Sequence, residues 1–173
     1  YYYNVKKVFD ISQTDAKRQR QPQVHYDDRL LLSALIAKRP VPIEMADSVQ
    51  NGAVYDYERK TIFVQRGMDG QDLFRSVSLA LARAEMAQQE NSTPQADAFK
   101  SYCVSYMLCR KYGVDTQGYD FSRLPDELKN AEPQTIRGEL TDIRDTLQTM
   151  TGKMARTLEQ SRTAAQKETG KER

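Results

Sequence analysis

Strand-forming patterns are confined to the first part of the chain, and helical periodicity dominates after them. The pattern AVYDYERKTIFVQ at residues 53–65 places two runs of β-branched and aromatic residues around a polar turn, which is typical of a β-hairpin. Two long helices are predicted after it, over Asp72–Gln89 and Pro94–Tyr112, and Gly113 ends the second. These patterns predict the α+β class, with a small antiparallel sheet packed against several helices and a long C-terminal helix.

Shorter elements are predicted around this centre. Asp27 and Asp28 precede the run RLLLSALIAK, and Pro40 follows it, which favours a helix over residues 27–38. The other predicted short elements are a strand or apolar anchor at Val5–Ile11, a strand at Val41–Met45, and a short helix after Pro125.

Composition and charge exclude several classes of protein. A chain of 173 residues is long enough for one domain with a buried core. The formal net charge of +2 is too small to require a polyanionic partner. No apolar run approaches the roughly 20 residues that a membrane span needs, so we expect no membrane partner. The chain starts at YYYNVKK with neither Met nor a signal peptide, and we expect a fragment or a processed form.

The cysteines and the histidine limit what metal chemistry one chain can perform. Cys103 and Cys109 are six positions apart in one predicted helix, which turns their thiols about 240° away from each other. We therefore expect two free thiols in a reduced, cytoplasmic protein. His25 is the single histidine, so no site with two histidine ligands can form within one chain.

The helix Asp72–Gln89 has the small-residue pattern of a zinc peptidase helix but none of its ligands. Such a helix needs His at i and i+4, so that both imidazoles share one face, and a Glu after the first His as general base. Registered on the small residues, these places fall on Leu79, Ala80 and Arg83. Leu and Ala have no lone pair to offer, and an Arg repels a divalent cation. We expect no metal, no cofactor, and a closed apolar space around Leu79 and Arg83.

The order of several motifs resembles one group of metallopeptidase domains. VFDISQT is followed by a helix ending in RPVPIE, then by AVYDYERKTIFVQRGM, the altered zincin helix and CRKYGVDTQGYDF. This order is similar to the ImmA/IrrE and LtrC-like zincins and to the C-terminal domain of ArdC-type antirestriction proteins. The resemblance covers about residues 5–125 and implies a zincin-like fold from a bacterial conjugative element or phage.

The resemblance also implies where a third metal ligand would lie. In active members of the group, the helix after the motif helix supplies a carboxylate ligand. Carried over by the CRKYGVD block, that position falls on Tyr102, and Asp97 is the nearest acid upstream. A single acid cannot replace three ligands. The resemblance therefore implies the fold of the group without its zinc or its hydrolysis.

An apolar seam runs along the last predicted helix. Its residues lie at positions 136, 140, 143, 147, 150, 154 and 158, spaced by fours and threes over about Pro133–Gln160. Packing on the chain's own core is one interpretation, and homodimerisation or docking on another protein is the alternative. We divide the chain into a zincin-like domain (1–130), a C-terminal helix (131–162) and a tail (163–173) that lacks an apolar stripe and is expected to be disordered.

Three functions remain open from the sequence. The first is a catalytically inactive metallopeptidase-like domain that serves as a protein-interaction or scaffolding module of a mobile element. The alternative is a DNA-associated antirestriction or conjugative-transfer accessory protein, whose basic loop contacts phosphates through Lys17, Arg18 and Arg20. The third is an enzyme with a relocated site that uses residues such as Glu85, Asp97 or Lys100.

Overall fold

The computed structural model describes residues 26–89 and 92–169, with side chains described to residue 161. It has the α+β class, with a small sheet and several helices that include a long C-terminal one. In chain order the elements are α1 (Asp28–Ile36), β1 (Ile43–Ala46), a 3-10 turn (Gln50–Gly52), β2 (Ala53–Asp56), β3 (Thr61–Gln65), α2 (Gly70–Met86), α3 (Pro94–Tyr112), α4 (Asp126–Lys129) and α5 (Pro133–Thr169). The predicted strand at Val5–Ile11 lies outside the described residues.

Side-chain caps set the starts of α1, α2 and α3. The Asp27 carboxylate accepts from the backbone N–H groups of Arg29 and Leu30, and Thr93 accepts from that of Ala96. Asp69 caps α2 in the same way, so α2 begins at Gly70, two residues before the predicted start. α3 has the predicted bounds, since Pro94 at its first position suits a helix start and Gly113, with φ 76°, adopts the left-handed conformation after its end.

The sheet is mixed, where the sequence analysis predicts an antiparallel one. β2 and β3 form the expected antiparallel hairpin, with Tyr55 opposite Ile62. β1 pairs with β3 in parallel, and the strand order is β1-β3-β2. β1 and β2 run in opposite directions and are connected by residues 47–52, but they do not pair with each other. β3 lies between them. Among the described strands, both β1 and β2 therefore lie at edges of the sheet.

The centre of the core is α2, which packs against the sheet on one side and against α1, α3 and α5 around the rest of its surface. Phe74, Val77, Leu81 and Ala84 recur at helical spacing on α2, and all four are buried. Tyr55 and Ile62 extend the core from the sheet, and Val104 and Leu108 extend it from α3. α2 thus contacts the sheet and every other long helix, and it holds them in place relative to one another.

The seam of α5 packs on the chain's own core. Ile143, Met150, Met154 and Leu158 are buried, and α5 contacts α1, α2 and α3. Its first residues, Ile136 and Leu140, remain 39% and 59% exposed. Most of the seam is therefore not free to form the homodimer that was the alternative.

The C-terminal helix is longer than predicted. It continues to Thr169, whereas the sequence analysis predicts a disordered tail from residue 163 onward. No described helix combines the length and the apolar character needed to cross a membrane.

Candidate functional site

Leu79, Ala80 and Arg83, the expected positions of the missing metal ligands and general base, all lie on α2 and differ in exposure. Ala80 is 1% exposed and faces the core. Leu79 and Arg83 are half-buried and, being four residues apart, lie on the same face of the helix. The structure therefore brings Leu79 and Arg83 together, but the space around them is partly open to solvent and not the closed apolar space that was expected.

The side chain of Arg83 reaches across to α3. Its Nε donates to Oγ of Ser101 over 3.4 Å, and Ser101 is fully buried. The Ser101 hydroxyl in turn donates to the backbone carbonyl of Ala98 over 3.0 Å. Within the described part of the chain, Arg83 has no carboxylate partner. A cationic side chain thus bridges the two helices by one hydrogen bond.

Tyr102 lies on a different face of α3 from Ser101. Its hydroxyl accepts from the backbone N–H of Asp120 over 2.7 Å. Its ring centroid lies 5.0 Å from that of Tyr119 and 5.2 Å from that of Phe121. The residue of α3 that contacts Arg83 is therefore Ser101, one position before the residue to which the resemblance carries the third ligand.

Asp97, one helical turn before Ser101, is 2% exposed and contacts three other polar side chains. It accepts from the hydroxyl of Tyr57 over 3.3 Å and from that of Ser92, and Nζ of Lys100 lies 3.9 Å away. Burial and the charge of Asp97 raise the pKa of Tyr57. Tyr57 therefore stays protonated and remains a donor to the carboxylate.

Lys100 lies among three carboxylates in this part of the structure. Its Nζ lies 2.9 Å from Asp142 and 3.8 Å from Glu139, both on α5, besides its contact with Asp97. Burial alone lowers the pKa of Lys100, but the hydrogen bond to Asp142 and the three negative charges outweigh it and raise the pKa. Lys100 is therefore charged at neutral pH and has no lone pair with which to act as a base or a nucleophile.

Glu85 is also part of the contact between α2 and α5. Its carboxylate is ion-paired with Nζ of Lys153, and both side chains are mostly buried, at 12% and 28% exposure. The three residues considered for a relocated active site, Glu85, Asp97 and Lys100, thus all form contacts between elements of the fold.

A second polar cluster lies between α2 and α3, and the sequence analysis does not predict it. The Oγ atoms of Ser78 and Ser105 are 2.6 Å apart, and Ser105 is 2.6 Å from the hydroxyl of Tyr119. The same hydroxyl lies 3.5 Å from Sγ of Cys109, and burial raises the pKa of both Tyr119 and Cys109. The cluster contains no base that could activate a hydroxyl or the thiol. Its signal in the sequence is the placing of Ser78 and Ser105 beside the core residues Val77 and Val104.

The described residues offer no ready cation site. No group of three or more His, Cys, Asp or Glu side chains in them could hold a metal ion. Cys103 and Cys109 are free, and they are half-buried and buried respectively. The basic loop with Lys17, Arg18 and Arg20, and His25, lie outside the described residues.

Two half-buried tyrosines predict a loss of stability at alkaline pH. Tyr57 and Tyr119 have raised pKa values in the folded chain, so the unfolded chain loses these protons first as the pH rises. Their contribution to stability is complete below their unfolded pKa of about 10 and is lost above it. Urea unfolding between about pH 8 and 11 should show this fall, and Tyr57→Phe should make it less steep. An unchanged slope in that variant would contradict the assignment.

Comparisons with protein-family models, with curated proteins and with solved structures give no match to this chain.

Proposed function

We propose that this chain is a catalytically inactive, zincin-like domain that serves as a protein-interaction or scaffolding module of a bacterial mobile element. The observation that carries the proposal is the contact of Arg83 with Ser101. In an active zincin-like domain, these two helices would share a metal ion. Here an arginine and a serine occupy the facing positions, and a guanidinium repels a divalent cation.

The surrounding charges support the absence of hydrolysis. Asp97, the single acidic residue of α3, lies one turn from Ser101 and accepts hydrogen bonds from Tyr57 and Ser92. The raised pKa of Lys100 keeps that residue charged. Lys100 therefore has no lone pair with which to act as a general base, and the buried Asp97 carboxylate is held by two hydroxyl donors beside the Lys100 cation.

The role as an interaction module is inferred by elimination, because a domain that has lost hydrolysis can still bind other proteins. The sequence resemblance supports the link to a mobile element. The fold supports a stable scaffold, because α5 ties α1, α2 and α3 into one core.

Metal content of the purified chain tests the proposal. We expect far less than one zinc per chain by elemental analysis after growth with added zinc, together with no cleavage of unstructured casein. Native mass measured on the same sample counts the chains in each particle. Stoichiometric zinc, or casein cleavage that Arg83→Ala abolishes, would overturn the proposal.

A further inference from the structure

The outer edge of β1 has backbone groups that no described residue pairs with. Successive carbonyls of a strand point to opposite sides within the plane of the sheet. The carbonyls of Pro42 and Ala46 accept from β3, from Ile62 and Arg66 respectively, both over 3.0 Å. The N–H and C=O groups of Ile43 and Met45 consequently point away from β3, and the described residues place no strand beside them.

An apolar cleft lies beside this edge. It has a volume of about 250 Å³ and is lined by Leu32, Ile36, Arg39, Ile43, Met45, Val64, Leu73 and Val77. Met45 is 50% exposed, and no residue of β1 is fully buried. The cleft is smaller than the roughly 300–1,000 Å³ of most small-molecule sites, so it suits apolar side chains better than a cofactor.

Arg39 supplies the charged end of the cleft. It is exposed, and its guanidinium donates to the carbonyl of Ile36 over 3.3 Å. Arg39 and its neighbour Lys38 have no ion pair within the described part of the chain, and both precede the start of β1. A strand that ran antiparallel to β1 would bring its C-terminal end to Arg39.

We propose that this edge and cleft bind an extended segment of a partner protein by strand addition. The segment runs antiparallel to β1, pairs with the backbone of Ile43 and Met45, and inserts alternate apolar side chains into the cleft. An acidic side chain at its C-terminal end pairs with Arg39. This inference does not depend on lost zinc ligands, because Val77 of the cleft and Leu79 face directions about 200° apart on α2.

A blocked peptide in which Thr and Leu alternate, with an N-terminal Trp and a C-terminal Glu, is a suitable probe. The chain has no Trp, so fluorescence anisotropy of the peptide reports binding without background. We expect the full chain to bind it, and Arg39→Glu to weaken binding about tenfold. A peptide with Gln in place of Glu should bind Arg39→Glu and the unaltered chain alike.

The backbone pairing is tested separately. Met45→Pro removes an outward N–H while leaving the ladder to β3 intact, and proline is tolerated at such edge positions. We expect it to weaken binding at least about tenfold, as should N-methylation of alternate peptide amides, which needs no change to the protein. Glu44→Ala is the matched control, because the backbone of Glu44 faces β3, and it should bind like the unaltered chain.

Three outcomes would overturn the proposal. The first is no anisotropy change at peptide concentrations up to about 1 mM. The second is binding that neither Met45→Pro nor N-methylation weakens. The third is a dimer of the unaltered chain in sedimentation that Met45→Pro converts to a monomer, since the edge would then pair with a second copy.

Discussion

Replacing Lys100 by alanine is expected to lower the free energy of unfolding by about 3 kcal/mol, as is typical when one partner of a buried ion pair is removed. The loss comes mainly from Asp97, which is 2% exposed and would keep its charge without a cation beside it. Glu139 and Asp142 contribute less, because their side chains remain 30% and 34% exposed and can be hydrated. Urea unfolding at neutral pH measures the difference.

A lysine in an exposed ion pair provides the matched control for Lys100. Lys129→Ala removes a lysine that is 53% exposed and paired with Asp126, and it should cost at most about 1 kcal/mol. A deficit equal to that of Lys129→Ala would contradict the role given to Lys100.

Rebuilding a metal site across α2 and α3 is expected to produce tight zinc binding, which is not expected of the unaltered chain. Leu79→His and Arg83→His place two imidazoles one turn apart, and Ser101→Asp adds a carboxylate at the position that contacts Arg83. Three protein ligands and a water complete the usual geometry of a catalytic zinc. At zinc concentrations 1,000 times the dissociation constant, folding should be stabilised by about 4 kcal/mol. Calorimetric titration and thermal unfolding with and without zinc measure both effects.

A control variant with a histidine pair on α5 provides the comparison for zinc affinity. Thr141→His and Asp145→His create the same i, i+4 spacing on the exposed face of α5, with no third ligand designed. We expect the triple variant to bind zinc at least about tenfold more tightly than this pair. Equal affinities would mean that Leu79, Arg83 and Ser101 do not define a metal position, and would remove the main support for a zincin origin.

Local signals account for the parts of the fold that the sequence predicts. The hairpin around residues 57–60 and the bounds of α3 follow from turn residues, a proline start and a glycine end, all within a few positions of the structure they specify. The parallel pairing of β1 was not predictable in this way. It depends on β3 entering between β1 and β2, and no short pattern in Ile43–Ala46 specifies a neighbour.

The candidate site was likewise predictable only where its residues lie close together in the sequence. The sequence identifies Leu79, Ala80 and Arg83 on one helix, because four-residue spacing within a helix is local. Whether Ser101 or Tyr102 faces Arg83 depends on the rotation of α3 against α2, and one residue of register changes the facing direction by about 100°. Lys100, which lies beside Asp97, also pairs with Glu139 and Asp142 of α5, and no local pattern predicts contacts with residues so far along the chain.

The packing of α5 on α1 has a consequence for the way this chain acquires its structure. α1 ends at Ile36, whereas α5 begins at Pro133, so the ribosome must make almost all of the described chain before the two helices can meet. Closing so long a loop is entropically costly, and contacts of high sequence separation slow folding. Within the described part of the chain, the face of α1 that α5 covers is therefore exposed for the longest time during synthesis, and it is the surface most in need of protection from aggregation.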